Sequence, residues 1–283
     1  MKKLFSALAV LVVIVGVFLA ALPTILHKAG LHPEYQGPAW ELPGKRALII
    51  TTSHGVLAAP GETEGPATGV MASEFTHPYY TFLDGGMEVD IASIQGGEIP
   101  IDPQTLQFMI RSPEDDRYLN DAIARAKVKN SIPIDDVDID QYDIVFIAGG
   151  WGAAYDLAQS PVLAAKVSES YYGDKAAMIG GVCHGVLGLV NARDRDGELL
   201  ISGRRMTGVT DKQIKELGIE LTPLHPESEL RKAGVVFESQ TAFRDILATH
   251  VTVDDEQRFV TGQNQNSGLE TAHTMMRILS ERD

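Results

Sequence analysis

The chain has 283 residues, a formal charge of −14 and a single cysteine. That length suits one folded domain of about 240 residues, or at most two small ones, with enough chain to bury a core. The acidic balance argues against nucleic acid or an anionic lipid surface as the main partner, and one cysteine excludes an internal disulfide or a Cys-based metal cluster.

The first element departs from this average. After Met1, Lys2 and Lys3, residues 4–26 (LFSALAVLVVIVGVFLAALPTIL) carry no charge. As a helix the segment would be roughly 34 Å long, enough to cross the ~30 Å hydrocarbon core of a bilayer. It lacks the recurring polar positions of a globular core helix. A cleaved signal peptide is the competing reading, because the lysine pair makes a charged start. The apolar run is longer than a usual signal core, however, and cleavage after Ala20 or Ala21 would put Phe18 or Leu19 where a small residue is wanted. Residues 1–27 are therefore expected to be a retained membrane anchor, with secretion after cleavage as the alternative. The lysines would stay cytoplasmic, so the bulk of the chain would lie on the extracytoplasmic side, periplasmic or extracellular. An unpaired cysteine is notable there, since structural cysteines in oxidising compartments usually come in pairs. Residues 28–44 (HKAGLHPEYQGPAWELPG from His27 onward) hold Gly and Pro without periodicity and read as a linker.

From Lys45 to the C-terminus, short β-rich runs alternate with amphipathic stretches. KRALIITTS (45–53) is the first strand, residues 70–85 are helical towards their C-terminal half, and MEVDIASI (87–94) is the second strand. A long insertion, 95–140, carries the turn IPIDPQ and an amphipathic stretch around LNDAIARAKV. YDIVFIAGG (142–150) is a third strand ending in glycines. SPVLAAKVSESYYGD reads as a helix capped by Ser160, and KAAMIGGV (175–182) is the fourth strand. A hairpin-like run (ELLISGRRMTG), the strand HVTVD, and RFVTGQNQNSG leading into a last helix complete the chain. Nearly continuous apolar strands between helices indicate a mainly parallel sheet covered on both faces, a doubly wound, flavodoxin-like α/β sandwich in one domain over 45–283.

In such sheets ligands sit beyond the carboxyl ends of the strands. Two glycine-rich strand ends occur, AGGWG (148–152) and GGVCHG (180–185), and neither has the spacing of a phosphate loop. The G-x-C-x-G run from Gly181 to Gly185 has the shape of a nucleophile elbow, in which flanking glycines allow a sharp turn that exposes the central side chain. The segment after it (VLGLVNAR) is expected to be a helix whose N-terminus favours the thiolate of Cys183. Lowering a thiol pKa from about 8.5 to about 6 would raise the ionised fraction at pH 7 from about 3% to roughly 90%. Read alone, a single cysteine is more often a small buried hydrophobe; the elbow spacing and the adjacent His184 favour function.

VCHG after this strand pattern resembles the PfpI superfamily, within the class I glutamine amidotransferase-like fold. More narrowly it resembles the branch of heat-shock chaperones and glutathione-independent glyoxalases (glyoxalase III). TGVMASEFTHPYYTFLDGGMEVDIAS (68–93), IQGGEIPIDPQT (94–105) and RFVTGQNQNSGLETA (258–272) are similar to three further family segments, so the likeness spans about Arg46 to Leu279. The resemblance implies Cys183 as nucleophile, His184 as neighbouring base or acid, and Glu74 as a buried glutamate that hydrogen-bonds the sulfur. A carboxyl buried beside a thiolate is expected to stay protonated. Gly149 and Gly150 match a turn whose N–H groups would face a developing oxyanion. Two positions depart from the branch: Trp151 stands where a histidine is usual, and Ile214 stands where the acid of a Cys-His-Asp/Glu triad is expected. Asp211 and Glu216 flank Ile214, and spacing does not choose between them.

His225-Pro226-Glu227, which imitates the ending of a glutamine amidotransferase triad, reads as a surface loop. His27, His32, His54, His77, His250 and His273 form no HxH or HxxxH pair, so a metal site could arise only by assembly across the fold. His77 reads as a packing residue at a helix start.

The resemblance implies an enzyme without cofactor or metal, acting on a small carbonyl substrate, a 2-oxoaldehyde such as methylglyoxal. The same parts would serve a small-substrate amidase or peptidase-type hydrolase. A non-enzymatic, membrane-tethered stress chaperone or thiol oxidation sensor is the other reading. A homodimer is left open, with no interface legible in the sequence.

Overall fold

A computed structural model describes residues 2–282. Strands β1 (Arg46–Thr51), β2 (Glu88–Ser93), β3 (Ile132–Pro133), β4 (Ile144–Ile147), β5 (Met178–Val182), β8 (Val251–Val253) and β9 (Phe259–Gly262) form one sheet. A separate two-stranded sheet pairs β6 (Arg205–Met206) with β7 (Val236–Phe237). The main sheet runs β3-β2-β1-β4-β5-β9-β8, with every pair parallel except β8 on β9. The order reverses between β1 and β4, and this switch point opens the crevice in which such folds bind ligands.

Alternation along the central strands divides the core. Ala47, Ile49, Ile144 and Phe146 face one layer, packed with Phe75, Tyr79 and Phe82 of helix α2 (Ala72–Asp84). Leu48, Ile50, Val145 and Ile147 face the other, with Leu163 and Val167 of a helix over Pro161–Tyr172. Strands buried on both faces explain why the sequence shows continuous apolar runs rather than alternation. The remaining helices in chain order are α1 (Lys2–Lys28), α3 (Pro113–Asn120), α4 (Ala122–Lys129), the single turn α5 (Ala153–Asp156), α7 (Asp211–Leu217), α8 (Pro226–Lys232) and α9 (Gly268–Ser280), with Pro161–Tyr172 as α6. Ser160 caps α6 as expected, its side chain accepting from the Leu163 N–H at 3.1 Å. The insertion read over 95–140 builds β3, α3 and α4; of the expected hairpin-like run ELLISGRRMTG, only the start forms one, Leu199 bridging antiparallel to Arg193 around a turn at Asp194–Gly197. Its Arg205–Met206 pairs in parallel with Val236–Phe237 instead, because the intervening α7 and α8 act as a crossover.

The apolar start of the chain is a helix, α1, whose side chains from Val10 to Leu19 project away from the domain. Residues 29–44 lack helix or strand, as a linker would, yet they are strapped to the domain. Leu31, His32 and Leu42 are buried. The His32 N–H donates to Asn266 Oδ1 (2.8 Å), and Asn266 Nδ2 donates back to the Gly30 carbonyl (2.6 Å). His32 Nε2 donates to the Ile110 carbonyl at 2.7 Å, and the Leu42 N–H donates to the Gly85 carbonyl. Tyr35 stacks on His273 of α9. His77, inside α2, is buried edge-to-face with His32, which makes it a packing residue between strap and domain.

Leu42→Ala should lower the unfolding free energy by about 2–4 kcal/mol in urea titrations, the usual range for a buried leucine. In a free linker the same substitution would leave stability within about 0.5 kcal/mol.

Candidate active site

Both glycines of G-x-C-x-G are required by one atom. A Cβ on Gly181 or on Gly185 would overlap the carbonyl oxygen of Ile147 at the end of β4. With the backbone pressed this close, the chain turns sharply after β5 and Cys183 takes φ +56°, a left-handed conformation that a non-glycine residue adopts only under constraint. The segment after it is a 3₁₀ helix over Cys183–Leu189, not the α-helix read from the sequence.

Glu74 reaches the elbow from the first turn of α2 and is fully buried. Its Oε2 fills the space where a Gly149 Cβ would stand, a point also crowded by the main-chain nitrogens of His184 and Gly185. Burial pushes the Glu74 carboxyl up to about 8, against the opposing pull of the Cys183 thiol and the N–H groups of Gly149 and Gly150. Those contacts fall short of full hydrogen-bond geometry at either carboxyl oxygen, so they offset only part of the desolvation. The carboxyl is thus protonated at neutral pH, as expected.

The thiol behaves opposite to the expectation. Burial, then the charge and hydrogen bond of Glu74, push Cys183 well above its ordinary value, while the N–H groups of His184 and Gly150 pull it down less strongly. A short 3₁₀ turn beside a buried thiol provides too little positive potential to reverse this. Two facing acids here carry at most one negative charge between them, and at neutral pH they rest uncharged.

His184 Nδ1 lies 3.4 Å from Cys183 Sγ. Burial, then the neighbouring ring of His225, lower His184 to about 3, so its ring is neutral at pH 7 and Nδ1 can accept the thiol proton. Its Nε2 is buried with no partner. Neither candidate third acid meets it. Asp211 opens α7, where its Oδ2 accepts from Ser228 Oγ at 2.9 Å; Glu216 Oε2 accepts from the Asp245 N–H at 2.8 Å. Glu216 is turned to the packing of α7 on its neighbours, Asp211 Oδ1 is buried without a partner, and Ile214 between them is core. Of the two expected oxyanion donors, Gly150 borders the cavity and Gly149 sits behind Glu74. The main-chain N–H of His184, the residue after the nucleophile, was not anticipated and points at the sulfur.

The cavity over Cys183 holds about 260 Å³ and is lined mainly by apolar groups, with Trp151, in place of the histidine usual in the branch, as an aromatic wall. That is below the ~300 Å³ at which drug-sized pockets begin, so it suits a molecule of a few heavy atoms. Thr105 and Ile110 come from the 95–140 insertion; Gln213 and Leu217 come from α7, and Ile246 from a 3₁₀ turn over Asp245–Leu247. Gln213 carried no signal in the sequence, because only the docking of α7 brings it to the crevice.

A flavodoxin-like α/β sheet with a cysteine elbow beyond the carboxyl end of β5 and a buried glutamate against the thiol defines a class of cysteine-centred proteins. The chain belongs to the DJ-1/PfpI family, which residues 66–276 match. Glyoxalase 3 of Candida albicans is 29% identical over 226 residues, covering 76% of this chain and 91% of that protein. Among solved structures, Rapid Encystment Protein 24 KDa of Francisella tularensis superposes with a TM-score of 0.74 at 33% identity, over 83% of this chain and 99% of that one. Glyoxalase III of Candida albicans superposes with a TM-score of 0.72 at 26% identity, over 82% and 96%.

The raised Glu74 sets a pH signature. Unfolded, a glutamate ionises near 4.5; folded, Glu74 holds its proton to about 8. Its contribution to stability is fully present below pH 4.5 and is lost as pH rises to 8, at about 1.4 kcal/mol per pH unit. Glu74→Gln removes this slope, so its stability relative to wild type should grow by about 4 kcal/mol between pH 5 and pH 8 in urea denaturation. An unchanged difference across that window would mean Glu74 is ionised in the fold.

Proposed function

We propose that this chain is a glutathione-independent glyoxalase, converting small 2-oxoaldehydes such as methylglyoxal to hydroxy acids with Cys183 as nucleophile. The observation that carries it is a small cavity over Cys183 in which the sulfur meets the His184 imidazole at 3.4 Å and the fully buried Glu74 carboxyl lies against the elbow. The names of the relatives, which are glyoxalases across most of this chain, support the same reading.

The chemistry balances with these groups alone. The sulfur adds to the aldehyde carbon as its proton passes to His184 Nδ1, and Glu74 protonates the aldehyde oxygen, giving a hemithioacetal. The Glu74 carboxylate then takes the proton from that carbon while His184 returns its proton to the ketone oxygen, leaving an enediol. Glu74 delivers a proton to the second carbon and accepts the enediol hydroxyl proton, leaving a thioester. Water adds to the thioester carbon, and the thiol leaves with the water's proton. The aldehyde carbon is oxidised and the ketone carbon reduced by the same two electrons, so no external redox partner is consumed. A carboxyl pKa near 8 suits a group that must both give and take a proton near neutrality. A hydrolase reading lacks comparable support, because among the described residues no acid hydrogen-bonds His184 to orient it for protonating an amine leaving group.

We further propose that α1 anchors the protein with its α/β domain on the extracytoplasmic side. A helix whose residues 4–26 are uncharged and long enough to span, and which is not buried against the domain, supports this.

With methylglyoxal, Cys183→Ala should abolish lactate formation and Glu74→Gln should reduce kcat by about 10²–10⁴-fold. Equal background rates in both variants and wild type would end the glyoxalase reading. In membranes of expressing cells, the full chain should resist alkaline extraction, with Met1 to Lys28 intact by mass spectrometry; a soluble product starting near residue 21 or 22 would establish a cleaved signal instead.

A further inference from the structure

His184 must use both ring nitrogens. To accept the thiol proton at Nδ1 it must carry its own proton on Nε2, and that N–H needs an acceptor to hold the ring in place. In a complete triad the acceptor is a carboxylate. Here the ring faces Cys183 at Nδ1, and no carboxylate among the described residues hydrogen-bonds it: Asp211 of α7 accepts from Ser228 at Oδ2 while its Oδ1 is buried without a partner, and Glu227 of α8 pairs with Arg231.

The start of α8 is not the surface loop expected for His225-Pro226-Glu227. Pro226 is buried, and a Cβ on Gly208 would contact Val186 of the elbow turn, the Cys183 carbonyl oxygen and Pro226 Cβ together. His225 is the N-cap residue of α8, a position that favours Ser, Thr, Asp or Asn, yet its side chain makes no cap hydrogen bond. Helix stability therefore does not account for an imidazole here. Its Nε2 is buried without a partner, as is His184 Nε2, and the two rings lie within electrostatic reach of each other.

We propose that His225 is the positioning residue of the site: its Nε2 lone pair accepts from His184 Nε2–H across the space of one water, in place of the missing triad acid. Such a water finds the two polar partners it needs at least in these two nitrogens. An imidazole acceptor orients the ring as a carboxylate would. It gives an imidazolium at His184 no ionic stabilisation, which keeps His184 a weak base that releases its proton readily.

The inference rests on the cysteine-nucleophile reading, so its test reads the thiol directly. The full chain in detergent, as wild type, His225→Ala, His225→Asn and His225→Asp, is alkylated at Cys183 with iodoacetamide between pH 5 and pH 9. His225→Ala should slow alkylation at pH 7 by about tenfold, and His225→Asn, which keeps an acceptor, should recover to within about threefold of wild type. His225→Asp should move the acid limb of the profile to higher pH, because a carboxylate stabilises protonated His184. Identical rates and profiles in His225→Asn, His225→Asp and wild type would overturn the proposal, whether or not His225→Ala folds. Altered alkylation without lactate formation in the wild type would uphold His225 and refute the glyoxalase reading.

Discussion

The carbonyl oxygen of Ile147 occupies the space that a side chain at position 181 or 185 would need. Everything at the site follows from that contact. Glycine at both positions lets β5 run tightly beside β4 and turn at its end, and the turn forces Cys183 into a left-handed backbone. The strain is held by the packing on either face of the sheet. The same closeness brings the Gly149–Gly150 turn, the N–H of His184 and the carboxyl of Glu74 to one point, which loops on a looser scaffold would not hold.

Burial then decides the electrostatics. A helix end beside a cysteine suggests a thiolate, but desolvation outweighs the local dipoles, and the site rests without charge. Reactivity comes from proton transfer coupled to attack, with neutral His184 as receiver and protonated Glu74 as donor. Nearby buried imidazoles share this character: His32, His77 and His184 are all lowered to about 3 by burial. Each unfolded histidine would bind a proton near 6.5, so the stability they contribute is present above that pH and lost as it falls towards 3. Acid thus loosens the strap and the site together, since His32 holds Ile110, which lines the cavity.

The sequence made the sheet legible where strands are buried on both faces. YDIVFIAGG and KAAMIGGV read as strands because nothing polar interrupts them. The two-residue strands at Arg205–Met206 and Val236–Phe237 are too short for any period to register. Cys183, His184 and Glu74 were found by spacing and by likeness to a family, and the structure brings all three together. The strap escaped notice because its hold depends on isolated residues, Leu31, His32 and Leu42, that carry no pattern. His225 was passed over because its approach to His184 depends on how α8 docks against the elbow, which its own sequence does not encode. The direction of the Cys183 shift was missed for a related reason: helix dipoles can be read from neighbours along the chain, whereas desolvation depends on the whole fold.

The resting charge at Cys183 decides how the site reacts. The ultraviolet thiolate absorbance of Cys183, the only cysteine in the chain, measures that charge directly as pH is raised. The account predicts no thiolate at pH 7 and a rise only above the ordinary thiol range near 8.5. A thiolate already formed at pH 6, as in cysteines activated by a helix end, would contradict it.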